Sequence, residues 1–152
     1  RARESMLPSV DLRTLDGGRL TDADLAGKVV LLDFWGTWCP PCRESVPSLK
    51  ALVERTRDQP LVVVSAANES NESTLKEFIA EHSMNWPQVW DRGGKFADEF
   101  KINYYPTYLL ADHEGLIVFR FSGWSDDVEE AIQYYLRRAL ADAKRAGASR
   151  AP

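Results

Sequence analysis

The two cysteines of the 152-residue sequence, Cys39 and Cys42, follow directly on its most apolar segment. That segment, Val29–Trp35, is β-branched and apolar without clean alternation, which is the pattern of a strand covered on both faces of a sheet. After it, apolar residues recur at helical spacing: Cys42, Val46, Leu49 and Val53. This spacing predicts a helix over about residues 39–57. The cysteine pair is therefore predicted to lie where a central strand passes into a helix.

The elements that follow alternate in type. A second apolar strand is predicted at Leu61–Ser65 and an amphipathic helix around Leu75–His82, so the order is βαβα, which implies parallel strands joined by right-handed crossovers. Tyr108–Ala111 and Leu116–Phe121 are two further strand candidates separated by a turn, which predicts an antiparallel hairpin. The sequence therefore predicts an α/β fold with a central mixed sheet flanked by helices.

Both ends of the chain have a predicted organisation. Val10–Leu20 contains a Gly-rich turn between two short extended pieces, which predicts an N-terminal β-extension. A last helix is predicted from about Ser125 to Arg145. With 44% apolar residues the chain suits a single domain. We expect this domain to span 1–152, with a core at about 10–141 and flexible ends at 1–8 and 146–152.

Charge and hydropathy exclude several classes of function. The net charge is −4 and acidic and basic residues are interspersed, so no basic surface for nucleic acid or an anionic membrane is predicted. The longest apolar run, Val29–Trp35, falls short of the roughly 20 residues that span a bilayer and is interrupted by Asp33. Because the sequence begins with Arg1 rather than Met, we expect that a preceding signal peptide or anchor has been removed.

The cysteine spacing suits reversible thiol chemistry. A free thiol with a pKa of about 8.5 is mostly protonated at neutral pH, and the first turn of a helix favours the thiolate through unpaired N–H groups and the helix dipole. Pro40 and Pro41 are compatible with that first turn. We expect Cys39 to attack a partner disulfide and Cys42, one helical turn away, to resolve the mixed disulfide. A buried base near Cys42 would speed resolution.

A metal site is the main alternative reading of the cysteine pair. Zinc requires four ligands, and the only histidines, His82 and His113, lie on different predicted elements without ligand-like spacing. We therefore predict no metal and no cofactor other than the redox-active disulfide. His82 is interpreted as a packing residue.

The residues Asp33 to Cys42, Asp-Phe-Trp-Gly-Thr-Trp-Cys-Pro-Pro-Cys, resemble the active-site strand and helix start of thioredoxins. The resemblance implies the thioredoxin fold, with Asp33 as a buried proton relay for Cys42. It also implies that Pro47 is the proline inside the active-site helix and that Tyr105-Pro106-Thr107 is the cis-proline loop. Trp38, Pro40, Tyr105 and Pro106 are then expected to contact the substrate.

Three features resemble the TlpA/ResA branch of extracytoplasmic thioredoxin-like proteins. They are the N-terminal extension, the inserted helix around Leu75–His82 and the Asp112–Gly115 hairpin. Members of that branch often carry a Glu three residues after the second cysteine. This chain has Ser45 there, and Glu44 lies about 200° from Cys42 around a helix. We therefore expect Asp33 to be the proton acceptor.

The resemblance implies a periplasmic or membrane-tethered oxidoreductase that serves cell redox homeostasis, in pathways such as cytochrome c maturation. We expect it to be a monomer that reduces disulfides in client proteins and is recharged by an upstream electron donor. We expect no contact with nucleic acid, and no contact with membrane over the residues of this sequence. Two alternatives remain open at this point. One is a thiol peroxidase on the same fold, and the other is a client-binding module without redox turnover.

Overall fold

The computed structural model describes residues 5–150, and the side chains of residues 5–148. Its strands are β1 (Asp11–Arg13), β2 (Arg19–Thr21), β3 (Val29–Trp35), β4 (Leu61–Ala67), β5 (Gln88–Trp90), β6 (Thr107–Ala111) and β7 (Ile117–Ser122). Its helices are α1 (Asp22–Leu25), α2 (Pro40–Arg55), α3 (Glu72–Glu81), α4 (Lys95–Glu99) and α5 (Asp126–Arg150), with a 3₁₀ turn at Arg92–Gly94.

A mixed five-stranded sheet of order β5-β4-β3-β6-β7 forms the centre of the fold. β3 pairs in parallel with β4 and antiparallel with β6, and all seven of its residues are buried. This is the arrangement that the apolar run of Val29–Trp35, interrupted only by Asp33, predicts, because a strand covered on both faces has no polar side to display. The α/β class and the mixed sheet are confirmed.

Helices cover the two faces of the sheet. Alternate residues of β3 belong to different apolar clusters: Leu31 and Trp35 pack on one face with the cysteines and the buried side of α2, whereas Leu32 and Phe34 pack on the other with α4. α5 packs on the same face as α2, and its inward residues are Val128, Ile132, Leu136 and Ala139. The cysteine pair thus lies in the larger of the two apolar clusters.

The predicted N-terminal β-extension is confirmed as the antiparallel pair β1–β2. Leu15 in its turn donates a backbone hydrogen bond to Gln88 at 2.9 Å, which fixes the hairpin to the edge strand β5. At the start of α1, Thr21 and Asp24 form a reciprocal capping box that satisfies two of the unpaired N–H groups of a helix start. The extension is therefore attached to the sheet.

The ends of the chain differ from the predictions. Residues 5–8 belong to a predicted flexible end, but the backbone N–H of Leu7 donates to the carbonyl of Gly115 at 2.7 Å and Ile117 donates to Ser5 at 2.8 Å. The predicted helix end near Arg145 is also wrong, since α5 continues to Arg150. Frequent alanines over 139–148 favour this continuation, because Ala has the highest helix propensity. Residues 1–4 and 151–152, predicted as flexible, lie outside the described residues.

None of the helices within residues 5–150 combines the length and the hydropathy needed to cross a bilayer.

Candidate active site

Cys39 and Cys42 form a disulfide at the start of α2, with their Cα atoms 5.2 Å apart. Cys39 is the N-cap residue in an extended conformation, and Cys42 occupies the first turn of the helix. Both residues are almost completely buried, with exposures of 3% and 2%. The predicted position of the pair, between the central strand and the helix that follows it, is confirmed.

The sulfur of Cys39 is held between a hydrogen-bond donor and a carbonyl oxygen. It accepts from the backbone N–H of Cys42 at 3.3 Å, and it lies 3.4 Å from the carbonyl oxygen of Tyr105. In the disulfide this sulfur has no hydrogen to donate, so the approach to Tyr105 becomes a hydrogen bond only in the reduced thiol. Pro40 and Pro41, which separate the cysteines, have no backbone N–H to offer.

Asp33 lies in β3 with its side chain on the face that packs under α2, because its neighbours of the same parity, Leu31 and Trp35, share an apolar cluster with Cys42. The residue is 1% exposed. Burial raises the pKa of its carboxyl from 3.8 to about 7, and a hydrogen bond from Ser65 opposes that rise. Asp33 is therefore a buried carboxyl whose pKa lies near neutral pH.

The residues level with Asp33 on the neighbouring strands are polar as well. Ser65 of β4 and Tyr108 of β6 are its ladder partners on either side. The hydroxyl of Ser65 donates to Oδ2 of Asp33 at 2.6 Å and accepts from the indole N–H of Trp86 at 2.8 Å. Burial, and then the charge of Asp33, raise the pKa of Tyr108, so its phenol stays protonated. We call Tyr108, Asp33 and Ser65 the polar rung.

α2 places no carboxylate in the position that the TlpA/ResA branch favours. Ser45 is buried at 6% exposure and donates to the carbonyl of Pro41 at 2.9 Å, whereas Glu44 is exposed. The prediction that Glu44 points away from the cysteines is confirmed. Of the two carboxyl groups, Asp33 and Glu44, it is Asp33 that lies on the inner face of the site.

The predicted substrate-contacting residues lie together beside the disulfide. Trp38 is 55% exposed and its ring meets that of Tyr105 edge to face, with centroids 5.4 Å apart. Pro40 is exposed next to Cys39, and Pro106 is buried. The Tyr105-Pro106 peptide bond is cis, as the resemblance to thioredoxins implies.

Asn68 and Glu69, which follow β4, hold this region in place and are not identified by any sequence pattern. The carbonyl of Asn68 accepts from the indole N–H of Trp38 at 2.7 Å, and its side-chain amide donates to the Tyr105 hydroxyl at 3.2 Å. The carboxylate of Glu69 accepts from the backbone N–H of Thr37. These contacts join residues 30 or more positions apart in the sequence, so no local pattern reveals them.

The two histidines lie apart from the cysteines. The prediction that His82 packs on the inner side of its helix is wrong: it is the exposed C-cap residue of α3, and its ring stacks on that of Phe78 with centroids 3.9 Å apart. The Nε2 of His113 lies 2.7 Å from a carboxylate oxygen of Asp142 on α5, and Asp142 also pairs with Arg145. His113, Glu114 and Asp142 come close enough together to hold an ion.

The fold, the disulfide at a helix start and the adjacent cis-proline loop define a thiol-disulfide oxidoreductase with the thioredoxin fold. The chain belongs to the AhpC/TSA family, whose match covers residues 4–120.

Similarity to proteins of known class agrees with this assignment. The chain is 28% identical over 131 residues to the thiol-disulfide oxidoreductase ResA of Bacillus cereus, covering 86% of this chain and 75% of that protein. It is 32% identical over 124 residues to ResA of Halalkalibacterium halodurans, covering 80% and 70%. The crystal structure of the thioredoxin domain of a thiol-disulfide oxidoreductase from Bacteroides vulgatus superposes with a TM-score of 0.77 at 27% identity, covering 90% and 99%. The resemblance to ResA is confirmed.

Proposed function

We propose that this oxidoreductase reduces disulfides in client proteins outside the cytoplasm, with Cys39 as nucleophile and Cys42 as resolving thiol. The Cys39 thiolate attacks one sulfur of the client disulfide, and the other client sulfur leaves as a thiolate. Cys42, after losing its proton, attacks the sulfur of Cys39 and releases the second client thiolate. Two electrons pass to the client, and an upstream donor must then reduce the Cys39–Cys42 disulfide.

One hydrogen bond supports this division of roles. The backbone N–H of Cys42 points at the sulfur of Cys39 across 3.3 Å, so a negative charge on Cys39 is stabilised at the helix start. Cys42 lies inside the helix on its buried side, away from the N-cap position at which the free N–H groups of the first turn converge. Cys39 is therefore the better thiolate, and Cys42 requires a base before it attacks.

Asp33 fits the role of that base. Its pKa of about 7 lies near the working pH, where a general base is most efficient. It belongs to the same buried face as Cys42. We propose that Asp33 accepts the Cys42 proton during resolution and that Trp38, Pro40, Tyr105 and Pro106 form the surface on which the client docks.

The surroundings of Cys39 favour the reducing direction. Hydrogen bonds that stabilise the thiolate make a CxxC protein a stronger oxidant. Each hydrogen-bond donor that is missing near Cys39 therefore makes the protein a stronger reductant. Pro40 and Pro41 remove two N–H groups from the first turn of α2. The carbonyl of Tyr105, 3.4 Å from the sulfur, accepts a hydrogen bond from a thiol but repels a thiolate.

An equilibrium with glutathione tests the direction. We expect a potential closer to about −270 mV than to about −120 mV, the range that proteins of this chemistry span. Pro41→Ala restores an N–H at the second helical position, where it faces the N-cap sulfur, and we expect a less negative potential. Pro40→Ala is the matched control, because the first N–H of a helix is less well directed at the cap. A wild-type potential near about −120 mV would contradict the reductant role.

The compartment and pathway are proposed on the resemblance to the TlpA/ResA branch. On that basis we propose a periplasmic or membrane-tethered protein, monomeric, with clients among proteins such as those of cytochrome c maturation. Trapping tests the client class: Cys42→Ser should accumulate mixed disulfides at Cys39 with extracytoplasmic proteins. Cys39→Ser should accumulate none. Equal trapping by both variants would contradict the assignment of Cys39 as the nucleophile.

A further inference from the structure

A line of two hydrogen bonds leads from the loop before β5 to Asp33. The indole N–H of Trp86 donates to the hydroxyl oxygen of Ser65 at 2.8 Å, and that hydroxyl donates to Oδ2 of Asp33 at 2.6 Å. The three residues are 8%, 0% and 1% exposed, so water does not compete for these contacts. The line therefore joins the edge of the sheet to the carboxyl beneath α2.

The direction of both hydrogen bonds is fixed by chemistry. An indole nitrogen can only donate, so Ser65 must accept from Trp86. The hydroxyl of Ser65 has a single hydrogen, and the carboxyl oxygen of Asp33 is the acceptor within reach. Trp86 therefore fixes the orientation of the Ser65 hydroxyl, and a hydroxyl that accepts one hydrogen bond donates a stronger one.

The two carboxyl oxygens of Asp33 consequently differ in their hydrogen bonds. Oδ2 is occupied by Ser65, whereas Oδ1 has no hydrogen-bond partner among the described residues. A buried acceptor without a partner calls for an explanation. An oxygen that must accept and release a proton during each cycle provides one, since a permanent donor there would block it.

We propose that Ser65, oriented by Trp86, is a positioning residue that occupies Oδ2 of Asp33 and leaves Oδ1 to receive the proton of Cys42. This inference rests on the proposed role of Asp33 as the base for resolution. It adds that residues of β4 and of the loop before β5, rather than residues of α2, determine the orientation and protonation of that carboxyl.

The groups packed around Asp33 allow a simple interpretation of its titration. Tyr108 faces it from β6 and remains a neutral phenol, and Ser45 and Cys42 lie on the buried side of α2. Burial and the Ser65 hydrogen bond are the two influences on the Asp33 pKa. In the oxidised protein Cys42 does not titrate, so a change in the Asp33 titration reports on Ser65 and Trp86.

Carbon-13 NMR of aspartate carboxyls in the oxidised protein tests the inference directly, with the Asp33 signal assigned by its loss in Asp33→Asn. We expect Ser65→Ala to move the Asp33 midpoint upward by about one to two pH units, because it removes a hydrogen bond to a charged group. Trp86→Phe should move it in the same direction by less. Ser65→Thr, which keeps the hydroxyl, should restore the wild-type midpoint.

Thr56→Ala is the matched control, because Thr56 is a buried residue at the far end of α2 whose hydroxyl donates to the carbonyl of Leu52 at 2.7 Å. We expect it to leave the Asp33 midpoint unchanged. A midpoint that does not move in folded Ser65→Ala, or that moves equally in Thr56→Ala, would overturn the inference.

Kinetics separate this inference from the role of Asp33 itself. If Asp33 is the base, the pH profile for resolution of a preformed mixed disulfide should move alkaline in Ser65→Ala, in the same direction as the NMR midpoint. If the NMR midpoint moves and the rate profile does not, the positioning by Ser65 stands and Asp33 is not the base. If neither moves, the positioning role fails.

Discussion

The side-chain amide of Asn68 donates to the hydroxyl of Tyr105 across 3.2 Å, while the carbonyl of Asn68 accepts from Trp38. One residue after β4 thus connects the two aromatic rings beside the disulfide. Because Trp38 is more than half exposed, its position depends on such anchoring rather than on burial.

We expect Asn68→Ala to weaken client docking without altering the thiol chemistry. The KM for a protein substrate such as insulin should rise several-fold, since the aromatic surface loses the contact that orders it. The rate with a small aromatic disulfide should stay close to wild type. Tyr105→Phe, which breaks the same hydrogen bond but keeps the ring, should raise the KM for insulin similarly. An equal loss of rate with both substrates would refute a docking role.

The buried carboxyl of Asp33 should make stability depend on pH. Its pKa is about 7 in the folded protein against an ordinary 3.8, so the unfolded chain loses this proton first as pH rises. The folded state then binds more protons, and the free energy of unfolding should fall between about pH 4 and pH 7. The size of this effect is about 4 kcal/mol, from about 1.4 kcal/mol for each pKa unit.

Asp33→Asn removes that titration. Below about pH 4 the variant and the wild type should have the same free energy of unfolding. Between about pH 4 and pH 7 the variant should become increasingly more stable than the wild type, and above about pH 7 the difference should stay constant. Urea denaturation at several pH values measures it. A gain that is constant across the whole pH range would mean that Asp33 is not the group responsible.

Moving the carboxyl from β3 to α2 should partly restore the rate of mixed-disulfide resolution that Asp33→Asn loses. In the Asp33→Asn background, Ser45→Glu places a carboxyl where the TlpA/ResA branch has one. We expect the double variant to resolve a mixed disulfide faster than Asp33→Asn alone near neutral pH.

The single variant Ser45→Glu should lose about 1–3 kcal/mol of stability, because a buried site must then accommodate a carboxylate and the hydrogen bond to Pro41 is lost. Ser45→Gln in the Asp33→Asn background is the control, since it has the same shape without the acid. Equal resolution rates in the Glu and Gln double variants would show that residue 45 cannot supply the base.

The end of α5 should be stabilised by the β6–β7 turn. Asp142 meets His113, whose side chain is only 12% exposed, and also the exposed Arg145. Asp142→Ala should lower the free energy of unfolding by about 0.5–1.5 kcal/mol, whereas Arg145→Ala should change it by less than about 0.5 kcal/mol, because exposed ion pairs contribute little. Chemical denaturation of both variants measures the two changes in the free energy of unfolding. A larger loss in Arg145→Ala would reverse this ranking.

Sequence patterns predict the elements of this fold where the signal is local. Val29–Trp35 has the composition of a doubly covered strand, and the cysteine pair follows it at a helix start. The sequence does not predict β5, because Gln88–Trp90 has only three residues and forms a strand by pairing with β4. Tertiary context decides such short elements, and the sequence carries no periodicity that reveals them.

The candidate site likewise combines residues that a local sequence pattern identifies with residues that only the fold brings together. Cys39, Cys42 and Asp33 stand within one motif, so a resemblance identifies them. Ser65 is a polar residue in an apolar strand, which is a visible signal, but its meaning depends on its register with Asp33. Trp86 lies 21 residues further on and reaches Ser65 only in the folded chain. Sequence reasoning therefore finds the cysteine pair and the buried carboxyl and misses the hydrogen bonds that surround this carboxyl.

The polar rung also limits how the site can move. Asp33 lies on a strand whose backbone is hydrogen-bonded along both edges, and the Ser65 hydroxyl holds its carboxyl, whereas Cys42 lies on the helix above it. Under the proposed mechanism, any movement of the Cys42 sulfur as the disulfide opens takes place against a fixed strand, and it is α2 that adjusts. Mutations that loosen the start of α2 should then slow proton transfer, whereas mutations confined to the contact between Trp38 and Tyr105 should affect client binding alone.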